Sequence, residues 1–489
     1  MFPGNRTVGI SAFAPFVPAL RLDLRTWCQW RGHDWQKIAA VTGSGFRLPG
    51  PREDAYTMAA AAVMRLVRSG CVDPARVGFL ALATESSRDG AVGAVIVKGM
   101  VDQALCAEGR ALLARDCEVP EIKQACLAGI YALKAAVRWL AWDGRGRQAI
   151  IVASDVAQYR RDSTGEHTQG AGAVAVLLEE DPRLLLIDLD ASAGTSVFRG
   201  NDFRKPVLRH FIGSEPGRSN MPDECPVFNG PYSAACYLDE TLRAVESLAV
   251  RLGTDVGGIL ATSSKAFFHR PFRKMPRDAL ALLRLRAMAD SEKFAPGLTA
   301  ICAMAGVEPD KVRSELEHGS NPGKNDTYAW PAVASACRVL KDHESFRNEA
   351  ERLMGLGESR MAECGNLYAA SILAWMAAGL EDAAAGGMQL AGASILAVGY
   401  GSGNAAEASL LQVAEGWREA ALGTCFDNVM AGAVNLDHPS YEALHDGRPV
   451  AHLLDRTSDG FAVDRVGWGQ GPGSDAGVEH YRYDPTGVQ

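Results

Sequence analysis

The order of hydrophobic and polar positions predicts strands that alternate with helices through the first half of the chain. Residues 77–83 form an unbroken apolar run, which is typical of a strand buried on both faces of a sheet, and the mainly apolar segments 8–17 and 148–154 also predict strands. Helical spacing is clearest at 121–140, and Asp54 precedes an alanine-rich helix as its N-cap. The same patterns predict strands at 170–178 and 184–189 and helices at 22–38, 54–69 and 90–114.

The second half shows a similar alternation. Apolar runs predict strands at 256–262 and 393–398, while 407–413 fits a strand or a helix. Helical regions are predicted at 238–252, 277–363 and 365–380. The Gly- and Asp-rich segment from residue 455 lacks clear periodicity, so we expect an extended tail on the surface. Together the two halves predict α/β layers around a mixed, largely parallel sheet, with an internally duplicated fold.

Cys126 lies where the helix predicted over 121–140 begins. Ala128, Gly129 and Ala132 keep the first turns of this helix thin, so that neighbouring backbone can approach closely. Unpaired backbone N–H groups at a helix N-terminus stabilise a thiolate, which is the nucleophilic form of cysteine. A buried structural cysteine would explain the position equally well, so the assignment depends on other parts of the chain.

Composition narrows the class of protein. The 489 residues suffice for two or three domains or one large duplicated fold, and the net charge of −8 argues against bulk nucleic-acid binding. The eleven cysteines are odd in number and scattered, without a CxxC pair or zinc-ligand spacing, which fits a reducing cytoplasm. The first twenty residues lack a basic signal-peptide start, and no apolar run reaches the ~20 residues of a membrane span. We therefore expect a soluble cytoplasmic protein.

Four polar positions lie at predicted strand ends or helix starts, where layered α/β folds place their active sites. They are Glu85, His269, Asn366 and the GYGSG loop at 399–403. Each has a purely structural alternative: a solvated carboxylate, a half-buried histidine, a helix cap and a turn, respectively. The loop does not match G-x-G-x-x-G, and the chain contains neither a P-loop nor a G-x-S-x-G elbow. The common dinucleotide, P-loop and hydrolase motifs are thereby excluded.

Eight segments, in order along the chain, resemble hydroxymethylglutaryl-CoA synthases, which are condensing enzymes of the thiolase superfamily. They are TESSRDGA (84–91), EIKQACLAG (121–129), ASDVAQY (153–159), TQGAGAVAVLL (168–178), DFRKP (202–206), FFHRPFRKM (267–275), GNLYAAS (365–371) and GYGSG (399–403). The resemblance implies a thiolase-like fold with two duplicated βαβαβαββ-type halves in an α-β-α-β-α arrangement. The first half, 1–180, would carry Glu85 and Cys126. The second, 181–489, would carry His269, Asn366 and the GYGSG loop, with a helical insertion around 277–363.

The resemblance also implies catalytic roles. Cys126 would be acylated by an acetyl thioester, and Glu85 would remove a proton from the acetyl methyl group. His269, in its protonated form, would donate to the carbonyl oxygen of the acceptor. The backbone N–H groups of Cys126 and Ser402 would form the oxyanion hole, and Gly401 would leave room for the thioester oxygen.

Further residues match the family's binding positions. Asn366 would line the acceptor site, and Asp155, Tyr159 and Asp202 would organise the catalytic groups. Lys274 would lie near the CoA phosphates, in a basic patch with Arg270, Arg273 and Arg277 that could equally be an ordinary solvated face. No metal and no cofactor is implied beyond the CoA or phosphopantetheine thioester substrates. The chain departs from the family at Leu127, which replaces an aromatic residue beside the nucleophile, at the AVGY that precedes the glycine loop, and at Arg270 after the histidine.

The sequence therefore predicts an acyltransferase, expected to be a homodimer, that adds a cysteine-bound acetyl group to acetoacetyl-CoA or a similar β-ketoacyl thioester. The enzyme thioester would then be hydrolysed to give hydroxymethylglutaryl-CoA, the mevalonate precursor. One alternative is a β-branching synthase of a polyketide pathway, with an acyl carrier protein docked on a patch of Arg160, Arg161, Arg204, Lys205, Arg270, Arg273 and Arg277. Two others are a decarboxylating ketoacyl synthase, against which a Glu85 base argues, and a non-catalytic subunit, which should have lost its nucleophile, base or histidine.

Overall fold

The computed structural model describes residues 7–88, 90–200, 202–205, 225–318, 330–471 and 473–487. Asp89 and Pro206 of the quoted motifs lie outside these ranges. No helix within the described part of the chain is long and apolar enough to cross a membrane.

The strands are named in chain order. They are β1 (Val8–Phe16), β2 (Leu20–Asp23), β3 (Gly45–Leu48), β4 (Val77–Ala83), β5 (Glu121–Ile122), β6 (Gln148–Ala157), β7 (Gly170–Glu180), β8 (Leu185–Ser196), β9 (Ser263–Phe268), β10 (Ser394–Gly401), β11 (Ala405–Val413), β12 (Val434–Asn435), β13 (Phe461–Val466) and β14 (Glu479–Tyr483).

The helices of the first half are α1 (Leu24–Arg31), α2 (Trp35–Val41), α3 (Ala55–Arg68), α4 (Gly93–Ala107) and α5 (Ala128–Trp142). Those that follow are α6 (Gly230–Arg251), α7 (Val256–Thr262), α8 (Lys274–Asp290), α9 (Ala295–Ala305), α10 (Pro309–His318), α11 (Pro331–Asp342), α12 (Glu344–Met354), α13 (Glu358–Met361), α14 (Ser371–Ala385), α15 (Trp417–Leu422), α16 (Phe426–Met430) and α17 (His438–His445).

A mixed sheet of nine strands organises the described residues, in the order β5-β4-β6-β7-β1-β8-β11-β10-β9. Its outer pairs are parallel, namely β5–β4, β4–β6 and β10–β9. The inner pairs are antiparallel, so the expectation of a largely parallel sheet is wrong. One reason is that β7 follows β6, and β11 follows β10, without an intervening α-helix, and short connections join antiparallel strands.

Both faces of the sheet are covered. In β1, Ile10 and Phe13 belong to one core cluster, while Ala12 and Phe16 belong to another that includes residues of α3 and α4. The first cluster contains residues of α5, α6, α8 and α14. This alternation along a fully buried strand explains why the side chains of β1 are apolar except at Ser11.

Helix α3 begins as predicted. Asp54 is its N-cap: the side chain accepts hydrogen bonds from the backbone N–H groups of Tyr56 and Thr57. The Thr57 hydroxyl oxygen in turn accepts a hydrogen bond from the backbone N–H of Asp54, which completes a capping box.

Four predictions of secondary structure are wrong. The helix expected over 121–140 begins only at Ala128, because residues 121–122 form β5 and Ala125 has φ +45°, outside the right-handed helical region. The apolar run Val256–Thr262 is helix α7, because Asp255 caps it by accepting a hydrogen bond from the N–H of Gly258, and the strand follows at Ser263. The helical segment expected at 22–38 contains the end of β2 as well as α1 and part of α2. The C-terminal segment is not a plain tail, since β13 and β14 pair as an antiparallel hairpin.

Helices α8 to α13 occupy Lys274 to Met361, the section where an insertion is expected. The expected boundary at 180 falls in the turn between β7 and β8, and the division of the chain into two halves stays a prediction.

Candidate active site

Glu85 and Cys126 meet at the carboxyl ends of neighbouring parallel strands. Glu85 follows β4 and Cys126 follows β5, so their chain segments leave the sheet at the same edge. The Cys126 thiol donates a hydrogen bond to Glu85 Oε1 at 3.0 Å. The two residues that the sequence singles out as nucleophile and base are therefore in direct contact.

Asp155, near the end of β6, holds this edge together. Its Oδ1 accepts hydrogen bonds from Thr84 Oγ1 at 2.9 Å, from the Glu85 backbone N–H at 2.8 Å and from Ser86 Oγ at 2.8 Å. Its Oδ2 accepts one from the backbone N–H of Ala369 at 2.9 Å. One fully buried carboxylate thus fixes both the loop of the base and the turn that leads into α14.

The turn that carries Cys126 is held by close contacts. Ala125 has φ +45°, a left-handed conformation that costs energy for a residue with a side chain. A Cβ at Gly401 would lie 2.3 Å from the carbonyl oxygen of Gln124, so only glycine allows the end of β10 to approach this turn. At the next turn of the chain, a Cβ at Gly129 would lie 2.6 Å from the carbonyl oxygen of Ala369, which explains the thin start of α5.

The protonation state of the pair differs from the expected thiolate. Burial raises the pKa of Glu85 to about 7; the negative charge of Asp155 adds to this effect and Lys205 opposes it. Burial and the neighbouring Glu85 carboxylate raise the pKa of Cys126 well above its usual value. Helix α5 begins two residues after the sulfur, so its N-terminal field is outweighed and the resting cysteine is a thiol.

His269 follows β9 and is buried between two tyrosines. Its backbone N–H donates to the carbonyl of Val398 at 2.7 Å, and its own carbonyl accepts from the Tyr237 hydroxyl at 2.9 Å. Its ring lies 6.4 Å from the ring of Tyr237 and 6.3 Å from that of Tyr400. Burial lowers the pKa of His269 to about 3, so the imidazole is uncharged at neutral pH. The protonated form that the resemblance implies is therefore not the resting state. A neutral imidazole still carries one N–H donor.

Asp202 fixes the glycine loop. It accepts hydrogen bonds from the Tyr400 hydroxyl at 2.9 Å, from the Gly403 backbone N–H at 3.3 Å and from the Asn404 side-chain amide. Ser402 lies in the loop between these anchors. Sequence reasoning missed Asn404, although it directly follows the GYGSG motif.

Aromatic rings surround Cys126. Tyr159 and Tyr368 share its buried cluster, and Phe203 and Phe228 pack against them. Ring centroids within this aromatic cage are 5.5–6.4 Å apart. Of the four rings, the sequence analysis assigned a role only to Tyr159. Phe203 and Tyr368 lie within the motifs DFRKP and GNLYAAS, which could have indicated them, whereas Phe228 lies outside every quoted motif.

Asn366 forms hydrogen bonds to two residues of this cage, Tyr159 and Tyr368. Its amide Nδ2 donates to the Tyr159 hydroxyl at 3.4 Å, and its Oδ1 accepts from the backbone N–H of Tyr368 at 3.0 Å. Tyr368 itself has φ +44°, a strained conformation for a tyrosine. Asn366 is therefore more than a helix cap, since α14 begins only at Ser371.

Glu85, Lys205 and Tyr368 line one cavity of about 1070 Å³, whose wall also includes Arg160 and Arg161. The Lys205 ammonium group donates to the carbonyl oxygen of Glu85 and lies 5.3 Å from the centroid of the Tyr368 ring.

The structure does not bring Lys274 to this cavity. Lys274 lines a separate groove of about 760 Å³ between α6, α8 and α11, and is 3.8 Å from Asp278. The expected basic patch is partly neutralised, because Arg270 and Arg273 both pair with Glu358. Arg270 is also buried over the ring of Trp375, so the residue after the histidine is structural.

Leu127, which stands where the family has an aromatic residue, does not line the aromatic cage around Cys126. Its side chain is fully buried in the main core and meets the faces of Gly399 and Gly401 rather than the aromatic cage. Among the described residues, no group of three or more His, Cys, Asp or Glu side chains is placed to hold a metal ion.

Two family models match this chain. The model for the N terminal of hydroxymethylglutaryl-coenzyme A synthase matches residues 4–182, and the C-terminal model of the same family matches residues 215–422. These matches span most of the chain, including Cys126, Glu85 and His269.

Individual relatives agree. A hydroxymethylglutaryl-CoA synthase from Haloferax volcanii is 30% identical, over 90% of this chain and 91% of the relative. The cytoplasmic hydroxymethylglutaryl-CoA synthase of Homo sapiens is 26% identical, over 88% of this chain and 76% of the relative.

Solved structures share the fold. MvaS, in complex with 3-hydroxy-3-methylglutaryl coenzyme A, is 26% identical and covers 98% of this chain and 100% of its own, with a TM-score of 0.75. The HMG synthase of the curacin biosynthetic pathway, at 19% identity and a TM-score of 0.66, covers 90% of this chain and 88% of its own, and shows the fold alone. The thiolase-like α/β fold is confirmed, and the chain belongs to the hydroxymethylglutaryl-CoA synthase family of acyltransferases that form C–C bonds.

Proposed function

We propose that the protein joins an acetyl group bound to Cys126 to the ketone of acetoacetyl-CoA, or of a similar β-ketoacyl thioester, and then hydrolyses the enzyme thioester. The observation that carries this proposal is the 3.0 Å hydrogen bond from the Cys126 thiol to Glu85 Oε1. It joins a nucleophile to a carboxylate whose pKa of about 7 lets it accept and return protons at neutral pH.

Acylation uses the resting thiol. As the sulfur of Cys126 attacks the carbonyl carbon of the acetyl thioester, the thiol proton passes to Glu85. The C–S bond of the donor breaks, and the departing thiolate takes the proton back from Glu85. The acetyl group is then on Cys126 and Glu85 is again ionised.

Condensation begins with a second proton transfer. Glu85 removes a proton from the acetyl methyl group, and the enolate oxygen is stabilised by the backbone N–H groups of Cys126 and Ser402. The enolate carbon attacks the ketone carbon of the acceptor, while the neutral His269 ring donates to the ketone oxygen. The resulting alkoxide takes the proton that Glu85 has just gained.

Hydrolysis completes the cycle. Water adds to the thioester carbonyl carbon, the bond to the Cys126 sulfur breaks, and the thiol is reprotonated by way of Glu85. The product leaves with a free carboxylate at that end and with its acceptor thioester intact.

Several residues would shape the acceptor site. His269 Nδ1, Asp202 Oδ1 and Asn404 Oδ1 are buried and have no hydrogen-bond partner within the described ranges. The imidazole nitrogen can donate to the ketone oxygen of the substrate, and the two oxygens can accept from an N–H or O–H group of the bound thioester. Asn366 and Tyr159 would position the aromatic cage around the acyl group, and Asp155 would hold the base. Lys274, about half exposed, would bind CoA phosphates from its separate groove.

We further propose a cytoplasmic homodimer that acts in the mevalonate pathway. The scattered cysteines without a CxxC pair and the cytoplasmic relative in Homo sapiens support the location. The human and archaeal relatives named hydroxymethylglutaryl-CoA synthase support the pathway.

The second candidate is a β-branching synthase that takes both acyl groups from carrier proteins. It is favoured by Arg160, Arg161 and Lys205, which line the cavity of Glu85 and would attract an acidic carrier. Against it, Arg161 is already paired with Glu442 and Asp446 on the same rim. The main proposal therefore keeps CoA as the carrier.

Intact mass after incubation with acetyl-CoA tests the nucleophile. The wild type should gain one acetyl group and Cys126→Ala none, whereas the control Cys106→Ala, which removes an exposed cysteine, should gain one like the wild type. An acetyl group on Cys126→Ala would place the nucleophile elsewhere.

The acceptor is tested by comparing acetoacetyl-CoA with an acetoacetyl carrier protein at equal concentration. Turnover on acetoacetyl-CoA with none on the carrier protein is the expected result. Turnover on the carrier protein alone would replace the main proposal with the polyketide one.

A further inference from the structure

Residues 202–205 touch three different parts of the site. Asp202 accepts hydrogen bonds from the glycine loop, and Phe203 packs in the aromatic cage around Cys126. Lys205, three residues after Asp202, donates from Nζ to the backbone carbonyl of Glu85 at 2.5 Å. A short segment therefore connects the glycine loop to the loop that carries Glu85.

The ammonium group of Lys205 is held in place by two contacts. Besides the Glu85 carbonyl, it lies 5.3 Å from the centroid of the Tyr368 ring, within the range of a cation–π interaction. Both contacts are on the wall of the cavity that Glu85 lines. The charge is thus directed at the site although the lysine itself is exposed.

The groups facing Glu85 make this charge matter. Asp155 faces it from β6 and Cys126 from the turn after β5, while the hydroxyls of Tyr159 and Tyr368 lie in the same buried cluster. Two neighbouring buried carboxyl groups resist simultaneous ionisation unless a positive charge is close. Lys205 is the cation that favours the ionised form of both Glu85 and Asp155.

We propose that Lys205 is a positioning residue for the proton transfer from the acetyl methyl group: its ammonium group favours the ionised form of Glu85, and its hydrogen bond fixes the loop that carries Glu85. Asp202, on the same segment, fixes the oxyanion loop, so that base and oxyanion hole are aligned together. This inference rests on the proposed role of Glu85 as the base.

The test replaces the charge and keeps the length, with Lys205→Met. Acetyl-CoA should still acetylate Cys126 to one group per chain. Deuterium exchange into the acetyl methyl group in D₂O should slow at least tenfold at pH 7. The rising limb of its pH profile should move up by about one unit or more, the size of shift that a nearby opposite charge produces.

Two further variants complete the experiment. Lys205→Arg should return the pH limb towards that of the wild type, since the charge is restored. Lys123→Met removes another lysine three residues before Cys126, one that pairs with Glu121 at 3.2 Å, and should leave rate and limb unchanged. If Lys205→Met is poorly folded, Lys205→Gln offers the same loss of charge.

The outcomes separate this inference from the proposed function. An unshifted pH limb in Lys205→Met overturns it, and so does a loss of exchange that Lys205→Arg does not restore, because either result reduces Lys205 to a structural role. If Glu85→Gln exchanges the methyl protons at the wild-type rate, the proposed base itself is wrong.

Discussion

The two sides of the candidate active site are both buried, but different groups surround Glu85 and His269, and the pKa values differ accordingly. On the Glu85 side, a thiol, two carboxyl groups and an ammonium group lie within one cluster, and the pKa of Glu85 is about 7. On the His269 side, the imidazole lies between two tyrosine rings and its pKa is about 3. The first side is suited to moving protons at neutral pH, and the second to presenting a fixed dipole.

Burial alone would give both sides a neutral group. It raises the pKa of a carboxyl group and lowers that of an imidazole, since each is more stable uncharged in a low dielectric. The pKa of Glu85 rises no further than about 7 because Lys205 and the Cys126 thiol favour its ionised form. His269 has no such countercharge among the causes of its shift. The difference in neighbours, more than in burial, assigns the proton chemistry to one side.

The largest effect should come from Glu85→Gln. Without the carboxylate, condensation should fall by about 10³-fold, because general-base catalysis contributes about 10²–10⁴-fold. In the wild type, the condensation rate should rise with pH through about 7, as Glu85 loses its proton. The measurement is steady-state condensation with acetoacetyl-CoA from pH 5.5 to 8.5. If Glu85→Gln kept the wild-type dependence of rate on pH, Glu85 would not be the group that transfers the proton.

His269→Gln should have a smaller effect on condensation, about 10²-fold, the loss expected for one donor to a developing oxyanion. Acetylation of Cys126 should continue, because the imidazole acts on the acceptor. The pH limb near 7 should stay where it is, since His269 is neutral throughout that range. A limb that disappears in this variant would show that His269 titrates in catalysis, which would end the contrast between the two sides.

Local sequence patterns predicted the Glu85 side of the site better than the His269 side. Strand β4 and the position of Glu85 at its end follow from one apolar run. Most of α5 follows from one helical period, although the helix begins at Ala128 and not before Cys126. The state of the thiol could not be predicted in this way. It depends on Asp155 and Glu85, which a distant strand and loop bring to the sulfur.

The structure of the His269 side depends on partners that lie far apart in the sequence. Asp202 meets Asn404 across about 200 residues, and Arg270 meets Glu358 in the helical section. The apolar run at Val256–Thr262 fits a helix and a strand equally, and only the cap by Asp255 decides. Motif resemblance identified His269, but its charge state required the burial that the fold provides.

Gly401→Ala tests the loop that joins the two sides. Its Cβ would lie 2.3 Å from the Gln124 carbonyl oxygen, so the loop must move away from Cys126. We expect a loss of about 1–3 kcal/mol in the free energy of unfolding and slower acetylation. The control is Gly99→Ala in α4, where a Cβ meets nothing within 4 Å and alanine should be neutral or stabilising by up to about 1 kcal/mol. Equal acetylation rates in both variants would show that close approach at Gly401 is not required.

The smallest expected effect is the pH dependence of stability, and it should have opposite signs on the two sides. The pKa of Glu85 is raised in the fold, so its stabilising effect is present below about 4.5 and is lost as pH rises through about 7. Glu85→Gln removes that loss, and its free energy of unfolding relative to the wild type should improve from pH 5 to pH 8 by at most about 3 kcal/mol.

The pKa of His269 is lowered, so the stability it provides is present above about 6.5 and is lost as pH falls towards 3. His269→Gln should therefore improve in the other direction, by about 2 kcal/mol from pH 8 to pH 5. Urea unfolding of both variants at the two pH values measures this, and a shift of the same sign in both would mean that burial does not hold the two groups neutral.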